Sequence, residues 1–214
     1  FPHIKSVAWA NRIFIHMLMV SVANAYLIWF WLKKKPNGDA AVRVQKIAES
    51  VGVREPSVYH FFKNREALVE AAHIEMYRRS HVAMVEPFQA GAALADNAED
   101  FQRIVKKILS LVYTVEREHI RSTRISVLGA AQSSSIVAEA INQINFDICG
   151  GMAEVFVMAQ EKNWIRKDVD PLATAYWING QILGRVMAEM NQSQVNLEQW
   201  NTVSEDAILH VLFG

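Results

Sequence analysis

The chain has 214 residues, 51% hydrophobic and 21% charged, so it is long enough for a small domain plus a larger one with a substantial core. Its net charge is zero, but residues 1–65 hold ten Lys or Arg against three Asp or Glu, a balance of +7 that leaves −7 for residues 66–214. A single cysteine, Cys149, excludes an intramolecular disulfide framework and is typical of a reducing cytosol, so we expect a cytoplasmic protein.

An uncharged segment occupies residues 13–32. It is flanked by Arg12 and by the lysines at 33–35, and aromatic residues cluster at its C-terminal end, next to these lysines. About 20 apolar residues suffice to span a bilayer, so the segment taken alone predicts a transmembrane helix with the lysines on the cytoplasmic side. It is too long and too aromatic for a secretory signal.

Residues 44–68 predict two short helices joined by a tight turn, which is a helix-turn-helix. Ile47 and Val51 give the first helix an apolar edge, and Ala48 lies where only a small side chain lets a second helix cross closely. Gly52 supplies the turn, because a left-handed backbone conformation is usually needed there.

The second helix of this motif is expected over residues 56–62. Val58, Phe61 and Phe62 are predicted to form its buried edge. Its polar face then carries Ser57, Tyr59 and His60.

This segment resembles the TetR-type bacterial transcriptional regulators. In that family, I-A-x-x-x-G-V is followed by V/L-Y-x-x-F, a small turn, a basic residue, Glu and a hydrophobic pair. The matching residues here are Ile47-Ala48, Gly52-Val53, Val58-Tyr59, Phe62, Asn64-Arg65-Glu66 and Ala67-Leu68. The resemblance implies an all-α fold, with a three-helix DNA-binding head in residues 1–65 and a helical effector-binding and dimerisation domain in residues 66–214.

By the same resemblance, the second helix enters the major groove of double-stranded operator DNA. Ser57 and His60 would lie nearest the bases, while Tyr59 and Lys63 would touch the backbone. Arg65 takes the place of a lysine that binds phosphate at the start of the next helix. The alternatives are that Tyr59 is a wedge between helices and that His60 is merely solvated.

Three residues depart from the family pattern near the DNA. Arg43 stands where a capping threonine is usual, so it can reach a phosphate but cannot cap. Arg54 occupies a position that is often a capping serine, and it is predicted to be a DNA-binding residue. Glu55 is expected to cap the second helix, with Pro56 at the first helical position, although a carboxylate there could also accept a hydrogen bond from cytosine N4.

The first helix of the family's head fits this chain poorly. Gly38 matches a glycine that follows that helix, but Trp29 and Phe30 occupy its small-residue positions and the lysines 33–34 its hydrophobic ones. Three explanations stay open: a divergent first helix, an error such as a shifted reading frame in the recorded sequence, and a membrane anchor fused to the DNA reader.

Beyond residue 64, helix signals recur and strand signals are scarce. A helix from about Asn64 to Val85 is predicted to begin at an Asn64 cap and to be closed by Pro87, with a loop at Gly91. The apolar residues of 99–117 follow the three-and-four spacing of a helix with one buried face.

Two further helices are predicted over residues 119–130 and 136–164, separated by a serine-rich break at 133–135. Gly150 and Gly151 lie within the second of them. Glycine weakens a helix interior, so we expect a kink or a close helix approach at this pair.

Asp170-Pro171 predicts the start of a helix that runs to about residue 191. Gly180 and Gly184 share one of its faces and would let another helix approach closely, with Trp177 and Met187 beside them. The resemblance implies that the last two long helices pair with their copies in a second subunit, so a homodimer is expected. Ordinary packing within one chain is the alternative.

The resemblance also implies a small-molecule effector. The molecule would enter the second domain, shift the helix that begins at Asn64 and release the operator, which is the behaviour of a repressor. Aromatic and methionine side chains could line a largely apolar pocket or simply fill the core. These candidates are Tyr113, Phe146, Met152, Phe156, Met158 and Trp177.

No enzyme, cofactor or metal is indicated. No nucleophile lies in a recognisable motif, and no glycine-rich phosphate loop follows a strand. The seven histidines are scattered, and neither HExxH nor CxxC occurs.

A membrane-anchored helical sensor or adaptor that uses residues 13–32 is the alternative function. Such a protein would pellet with membranes, whereas a regulator would bind duplex DNA with steep salt dependence.

Overall fold

The computed structural model of the chain describes residues 43–50 and 54–214, with side chains for all of these except residues 50 and 82–84. Its regular structure is helical, and no strand occurs in these ranges, so the fold is all-α as predicted. The helices are α1 (Val44–Ser50), α2 (Glu55–Tyr59), α3 (Arg65–Ala93), α4 (Ala98–Val112), α5 (Glu118–Ala131), α6 (Ser135–Glu161), α7 (Pro171–Glu189) and α8 (Leu197–Phe213), with a short 3-10 helix at Val115–Arg117.

The chain divides into two compact units, and the division falls between Met76 and Tyr77. In the first unit, a small apolar core joins α1, α2 and the start of α3. The second unit, Tyr77–Gly214, has a larger apolar core to which each of its long helices except α5 contributes residues. The boundary after residue 65 that the sequence suggests stays a prediction.

Helix α3 begins as predicted but ends later. The Asn64 side chain accepts a hydrogen bond from the Ala67 backbone N–H at 2.8 Å, which is the expected cap. Pro87 was predicted to close the helix, and this is wrong, because α3 continues through Pro87 to Ala93. A proline removes one helical hydrogen bond, but the burial of Phe88 and Ala92 in the core holds the following turn in place.

The predicted loop at Gly91 is also wrong, since Gly91 lies inside α3. A Cβ atom at this position would lie 3.2 Å from Cγ2 of Ile104 in α4. The glycine therefore serves the close packing of two helices rather than a turn.

Helix α4 has the predicted buried face but is shorter than predicted. Asn97 caps it by accepting a hydrogen bond from the Asp100 backbone N–H at 2.9 Å. The helix ends at Val112, and the extended backbone of Thr114 (ψ 154°) separates it from the 3-10 turn. The apolar periodicity beyond Val112 was misleading, because Val115 is exposed.

The starts of α6 and α7 follow the sequence signals closely. Ser134 caps α6 by accepting from the Val137 backbone N–H, and Asp170 caps α7 by accepting from the Ala173 backbone N–H at 2.7 Å. The close approach expected at the glycine pair occurs at Gly151, whose carbonyl accepts a hydrogen bond from the Gln89 side chain of α3 at 3.3 Å.

Several sequence predictions fall outside the described residues. These are the uncharged segment 13–32, with its three explanations, the match at Gly38, the apolar position at Val51 and the turn at Gly52. Within the described ranges, none of the helices is both long enough and apolar enough to cross a membrane.

Candidate DNA-binding surface and effector cavity

The helix-turn-helix is held together by a small apolar cluster. Val44, Ile47 and Ala48 of α1 are buried together with Val58 of α2 and Leu68 of α3. Ala48 is only 1% exposed, which fits its predicted role at the helix crossing. This cluster fixes the orientation of α2, so that its other face is presented to solvent.

The solvent face of α2 carries the side chains predicted to read bases. Tyr59 is 43% exposed, His60 is exposed, and Ser57 is half-buried. Ser57 is the middle residue of this short helix, Tyr59 is its last residue, and His60 is its C-terminal cap position. Whether they contact DNA stays a prediction.

Phe61 does not belong to the buried edge of α2, contrary to the prediction. The helix ends at Tyr59, Phe61 is 39% exposed, and its ring lies edge-on to His60 with centroids 5.0 Å apart. Two residues after the helix, the three-and-four spacing no longer applies, so Phe61 turns outward. Phe62 does pack against the apolar cluster, as predicted.

The predicted phosphate contacts lie at helix ends. Arg43 and Arg54 are exposed residues that immediately precede α1 and α2, and Lys63 is exposed just before α3. Arg65, the first residue of α3, is half-buried and forms an ion pair with Glu66 at 3.6 Å. Arg54, Lys63 and Arg65 therefore lie within the helix-turn-helix segment, and Arg43 directly precedes it.

Glu55 does not cap α2, contrary to expectation. The cap position is Arg54, whose backbone is extended and whose side chain makes no capping hydrogen bond, while Glu55 and Pro56 are the first two helical residues. The carboxylate instead lies in the first turn, where its negative charge interacts favourably with the positive end of the helix dipole.

The second unit contains an apolar cavity of ≈ 70 Å³. Its lining comes from α3, α4, α6, α7 and α8, and every lining side chain is apolar. The lining residues are Val85, Phe88, Val105, Ile108, Leu109, Val112, Met152, Phe156, Ile178, Ile182, Ile208 and Leu212.

Of the predicted pocket residues, Met152 and Phe156 line this cavity and the others do not. The Tyr113 hydroxyl shares a hydrogen bond of 2.7 Å with the Ser204 hydroxyl, and Met158 packs elsewhere in the core. Phe146 is 56% exposed in a shallow groove on the outside of α6, and Trp177 is exposed on α7.

The aliphatic lining is absent from the residues predicted from sequence, which are aromatic or methionine. The signal that could have found it is helical spacing. Ile178 and Ile182 are four apart on α7, and Val105, Ile108, Leu109 and Val112 follow the buried stripe of α4.

Polar side chains are also buried in the second unit. Arg121 and Arg185 both donate hydrogen bonds to Oε1 of Glu189, and the three side chains are at least nine-tenths buried. Arg121 also donates to the Thr114 carbonyl at 3.0 Å, and Arg185 donates to Oδ1 of Asn201 at 2.7 Å. Burial lowers the pKa of Arg185 below its usual range. We call Arg121, Arg185 and Glu189 the arginine–glutamate cluster.

The predicted dimer residues lie on α7. Trp177 and Gly180 are exposed, and Met187 is 79% exposed. A Cβ at Gly184 would lie 4.0 Å from Trp200 of α8, so Gly184 borders a contact within the same chain. The homodimer stays a prediction.

In the described part of the chain, no three His, Cys, Asp or Glu side chains are grouped so that they could hold a metal ion. Cys149 is fully buried, and burial raises the pKa of its thiol to about 11. The thiol is therefore kept in its unreactive protonated form.

Residues 37–72 match the model of the family described as bacterial regulatory proteins, tetR family. A structure from Mesorhizobium loti, described as a TetR-family transcriptional regulator, is similar to this one with a TM-score of 0.67 at 14% identity, covering 93% of this chain and 96% of that chain. No curated protein sequence matches this chain.

Two further similar structures have informative descriptions. FadR from Bacillus subtilis, solved in complex with stearoyl-CoA, has a TM-score of 0.61 at 18% identity over 90% of this chain and 98% of that chain. SmeT, the repressor of the Stenotrophomonas maltophilia multidrug efflux pump SmeDEF, has a TM-score of 0.58 at 17% identity over 91% of this chain and 89% of that chain. Residues 37–72 thus match the tetR family of bacterial regulatory proteins, and the chain shares the all-α fold of these solved structures.

Proposed function

We infer that the protein is a homodimeric repressor that leaves its operator when a small, largely apolar molecule binds the second unit. The observation that carries this proposal is the apolar cavity in Tyr77–Gly214, in a chain whose first unit holds a helix-turn-helix. A cavity lined by carbon atoms favours a hydrophobic ligand, because polar groups would lose their hydrogen bonds to water on entry.

Helix α3 supplies the connection between ligand and DNA. Its first residue, Arg65, belongs to the helix-turn-helix segment, and its later residues Val85 and Phe88 line the cavity. A ligand that pushes on Val85 and Phe88 displaces the same helix that carries Arg65. Release then requires only that the ligand bind more tightly to the conformation that fits DNA less well.

The size of the cavity supports a coupling of this kind. Drug-sized ligand pockets usually enclose about 300–1,000 Å³. The cavity here has ≈ 70 Å³, so a ligand of ordinary size must move its walls to enter. Met152 is the most adaptable wall residue, since its unbranched side chain can change rotamer at low cost.

The similar structures support the finer parts of the proposal. FadR was solved with an acyl-CoA ligand, and SmeT is a repressor. At 18% and 17% identity these proteins share the fold with this chain. We propose by analogy that this chain also binds a small-molecule effector and acts as a repressor.

A DNA titration tests the proposal. Duplex fragments from the region upstream of the protein's own gene should show one high-affinity, saturable target, with affinity that falls as salt rises. Arg65→Ala should weaken binding to every fragment and lower the salt slope by about 1, because it removes one phosphate contact. His60→Ala should weaken chiefly the target fragment, because base contacts carry specificity.

The matched control is Lys106→Ala, which replaces an exposed lysine on α4 in the second unit. It should leave the affinity for the target fragment and the affinity for the other fragments unchanged. Equal affinity for all fragments, or equal effects of Arg65→Ala and Lys106→Ala, would contradict sequence-specific regulation through this head. Sedimentation of the protein with membranes in place of DNA binding would favour the anchored adaptor that residues 13–32 suggest.

A further inference from the structure

His81 on α3 is a buried polar side chain that the DNA-binding mechanism does not use. It is 3% exposed and lies one helical turn before Val85, which lines the cavity. Residues four apart lie on the same side of a helix, so the face of α3 that borders the cavity continues to His81.

One ring nitrogen of His81 is fully occupied. Nδ1 lies 2.9 Å from the Tyr77 carbonyl oxygen, which can only accept, so Nδ1 carries the proton. Ser80 and Arg124 brace this arrangement, since the Ser80 hydroxyl donates to the same carbonyl at 2.6 Å and Nε of Arg124 donates to that hydroxyl at 3.0 Å. The ring is therefore held in one tautomer and one orientation.

The other nitrogen, Nε2, has no hydrogen-bond partner among the described residues. Burial, and secondly the positive charge of Arg124, lower the pKa of His81 to about 3, so the ring is neutral at physiological pH. A neutral ring that is protonated at Nδ1 presents a lone pair at Nε2. The protein thus keeps a buried acceptor with nothing to accept.

Contacts between α3 and α6 fix where this acceptor lies. Before His81, the Tyr77 hydroxyl donates to Oδ1 of Asn145 at 2.8 Å. After it, a Cβ at Gly151 would lie 3.5 Å from Cγ1 of Val85. His81 is therefore in the seam between the two helices, level with the stretch of α6 that leads to Met152. Val85 and Met152 both line the cavity, whereas His81 is not a lining residue and lies one helical turn before Val85. A ligand that displaces the wall at Val85 therefore comes toward the imidazole.

We propose that Nε2 of His81 is the polar anchor of the effector site, and that the effector is a small apolar molecule with one neutral hydroxyl or N–H group that donates to it. This inference rests on the proposed effector function. A carboxylate has no proton to donate, and the nearby Arg124 already binds the hydroxyl and the carbonyl of Ser80. An ammonium group would bring several donors to a site that offers a single acceptor.

Phenol and toluene are the probes that test it, because they have nearly the same shape and differ by a hydroxyl against a methyl group. Isothermal titration of the full chain should show phenol binding more tightly than toluene, although toluene is more apolar. In His81→Phe the preference should shift toward toluene by about fivefold, the worth of one hydrogen bond of about 1 kcal/mol. His81→Gln should recover part of the preference, since its side-chain oxygen can accept.

The control is Ile182→Val, a cavity residue on α7, which should change both affinities and leave their ratio intact. An unchanged ratio in His81→Phe overturns the inference. If circular dichroism shows that His81→Phe is unfolded, the affinities of the wild-type protein for anisole and for phenol are compared instead. Anisole keeps the oxygen of phenol but lacks the proton that would be donated. Equal binding of phenol and anisole overturns the inference, and weaker binding of anisole supports it.

The DNA titration is run on the same wild-type sample. Specific DNA binding without binding of either probe overturns the anchor and leaves the regulator in place. Absence of specific DNA binding overturns the proposed function itself, so the two failures are distinguishable.

Discussion

His81 is a histidine that the folded protein keeps uncharged. Its neighbours explain this, because Tyr77 and Ser80 offer a carbonyl and a hydroxyl, and the charged group that acts on it, Arg124, is itself a cation. Burial in turn lowers the pKa of Arg124 to about 10. The site thus tolerates one positive charge and resists a second.

The stability of the protein should therefore depend on pH through His81. The pKa of this group is lowered from 6.5 to about 3 in the folded protein, so between these values the unfolded chain binds a proton that the folded chain does not. The free energy of unfolding should accordingly fall by about 2 kcal/mol from pH 7 to pH 5 on account of this residue. Urea unfolding of the wild type and of His81→Gln at both pH values measures it.

His210→Gln is the matched control, since His210 is exposed on α8 and its replacement should leave the pH dependence as it is in the wild type. If His81→Gln loses as much stability between pH 7 and pH 5 as the wild type does, another group is responsible.

At the scale of single residues, the sequence predicts local capping hydrogen bonds better than it predicts which side chains are buried. Asn64 and Asp170 are caps because their short polar side chains bond to the backbone next to them, which is a local property. Phe146 and Trp177 were predicted to line a pocket from their residue type, but their exposure depends on which helix faces meet in space. That information lies in no single stretch of sequence.

Among the helices, α6 offers a direct test of how local preference and packing compete. Gly150 and Gly151 are neighbours in its interior, but a Cβ at Gly150 would meet nothing within 4 Å, whereas one at Gly151 would lie 3.0 Å from Nε2 of Gln89. Glycine has the same intrinsic helix penalty at both positions, but a side chain has open space at position 150 and meets Gln89 at position 151.

Gly150→Ala should stabilise the protein by about 0.5–1 kcal/mol, because alanine is the better helix former and the space is open. Gly151→Ala should give little or no gain, because the Gln89 amide must move and its hydrogen bond to the Gly151 carbonyl is disturbed. Chemical denaturation of the two single variants compares them directly. Equal gains at both positions would mean that α3 and α6 are not closely packed at Gly151.

The helices themselves were largely predictable, because caps and apolar stripes are local signals. The errors occur where tertiary packing overrides such signals. Pro87 and Gly91 are breakers in sequence, yet α3 continues past both because Phe88 and Ala92 on the next turn are buried against the core. A burial energy of about 1.5–3 kcal/mol for one large apolar side chain is comparable with the penalty of one proline.

For the whole molecule, the proposed homodimer places α7 at the interface. Met187 is 79% exposed and Met190 just after the helix is 84% exposed, so this end of α7 presents a large apolar surface. Exposed apolar patches of this kind commonly mark protein–protein contacts.

Met187→Glu should therefore convert the dimer into a monomer, with a dissociation constant at least about 100-fold higher, because a carboxylate is costly to bury at an interface. Sedimentation velocity over a range of protein concentrations measures the change. Leu94→Glu is the control, since Leu94 is 81% exposed beyond the end of α3 and should leave the association unchanged. A wild-type protein that is monomeric throughout would contradict the interface.

The arginine–glutamate cluster has a consequence for the history of this sequence. Loss of Glu189 alone would leave Arg121 and Arg185 buried without their shared counter-charge, at a cost of about 3–5 kcal/mol. That is a large part of the about 5–15 kcal/mol that keeps an ordinary domain folded. Descendants of this chain can thus abandon the cluster only through coordinated exchange of the three positions, and in an alignment of its relatives these three columns should covary while the surrounding surface drifts freely.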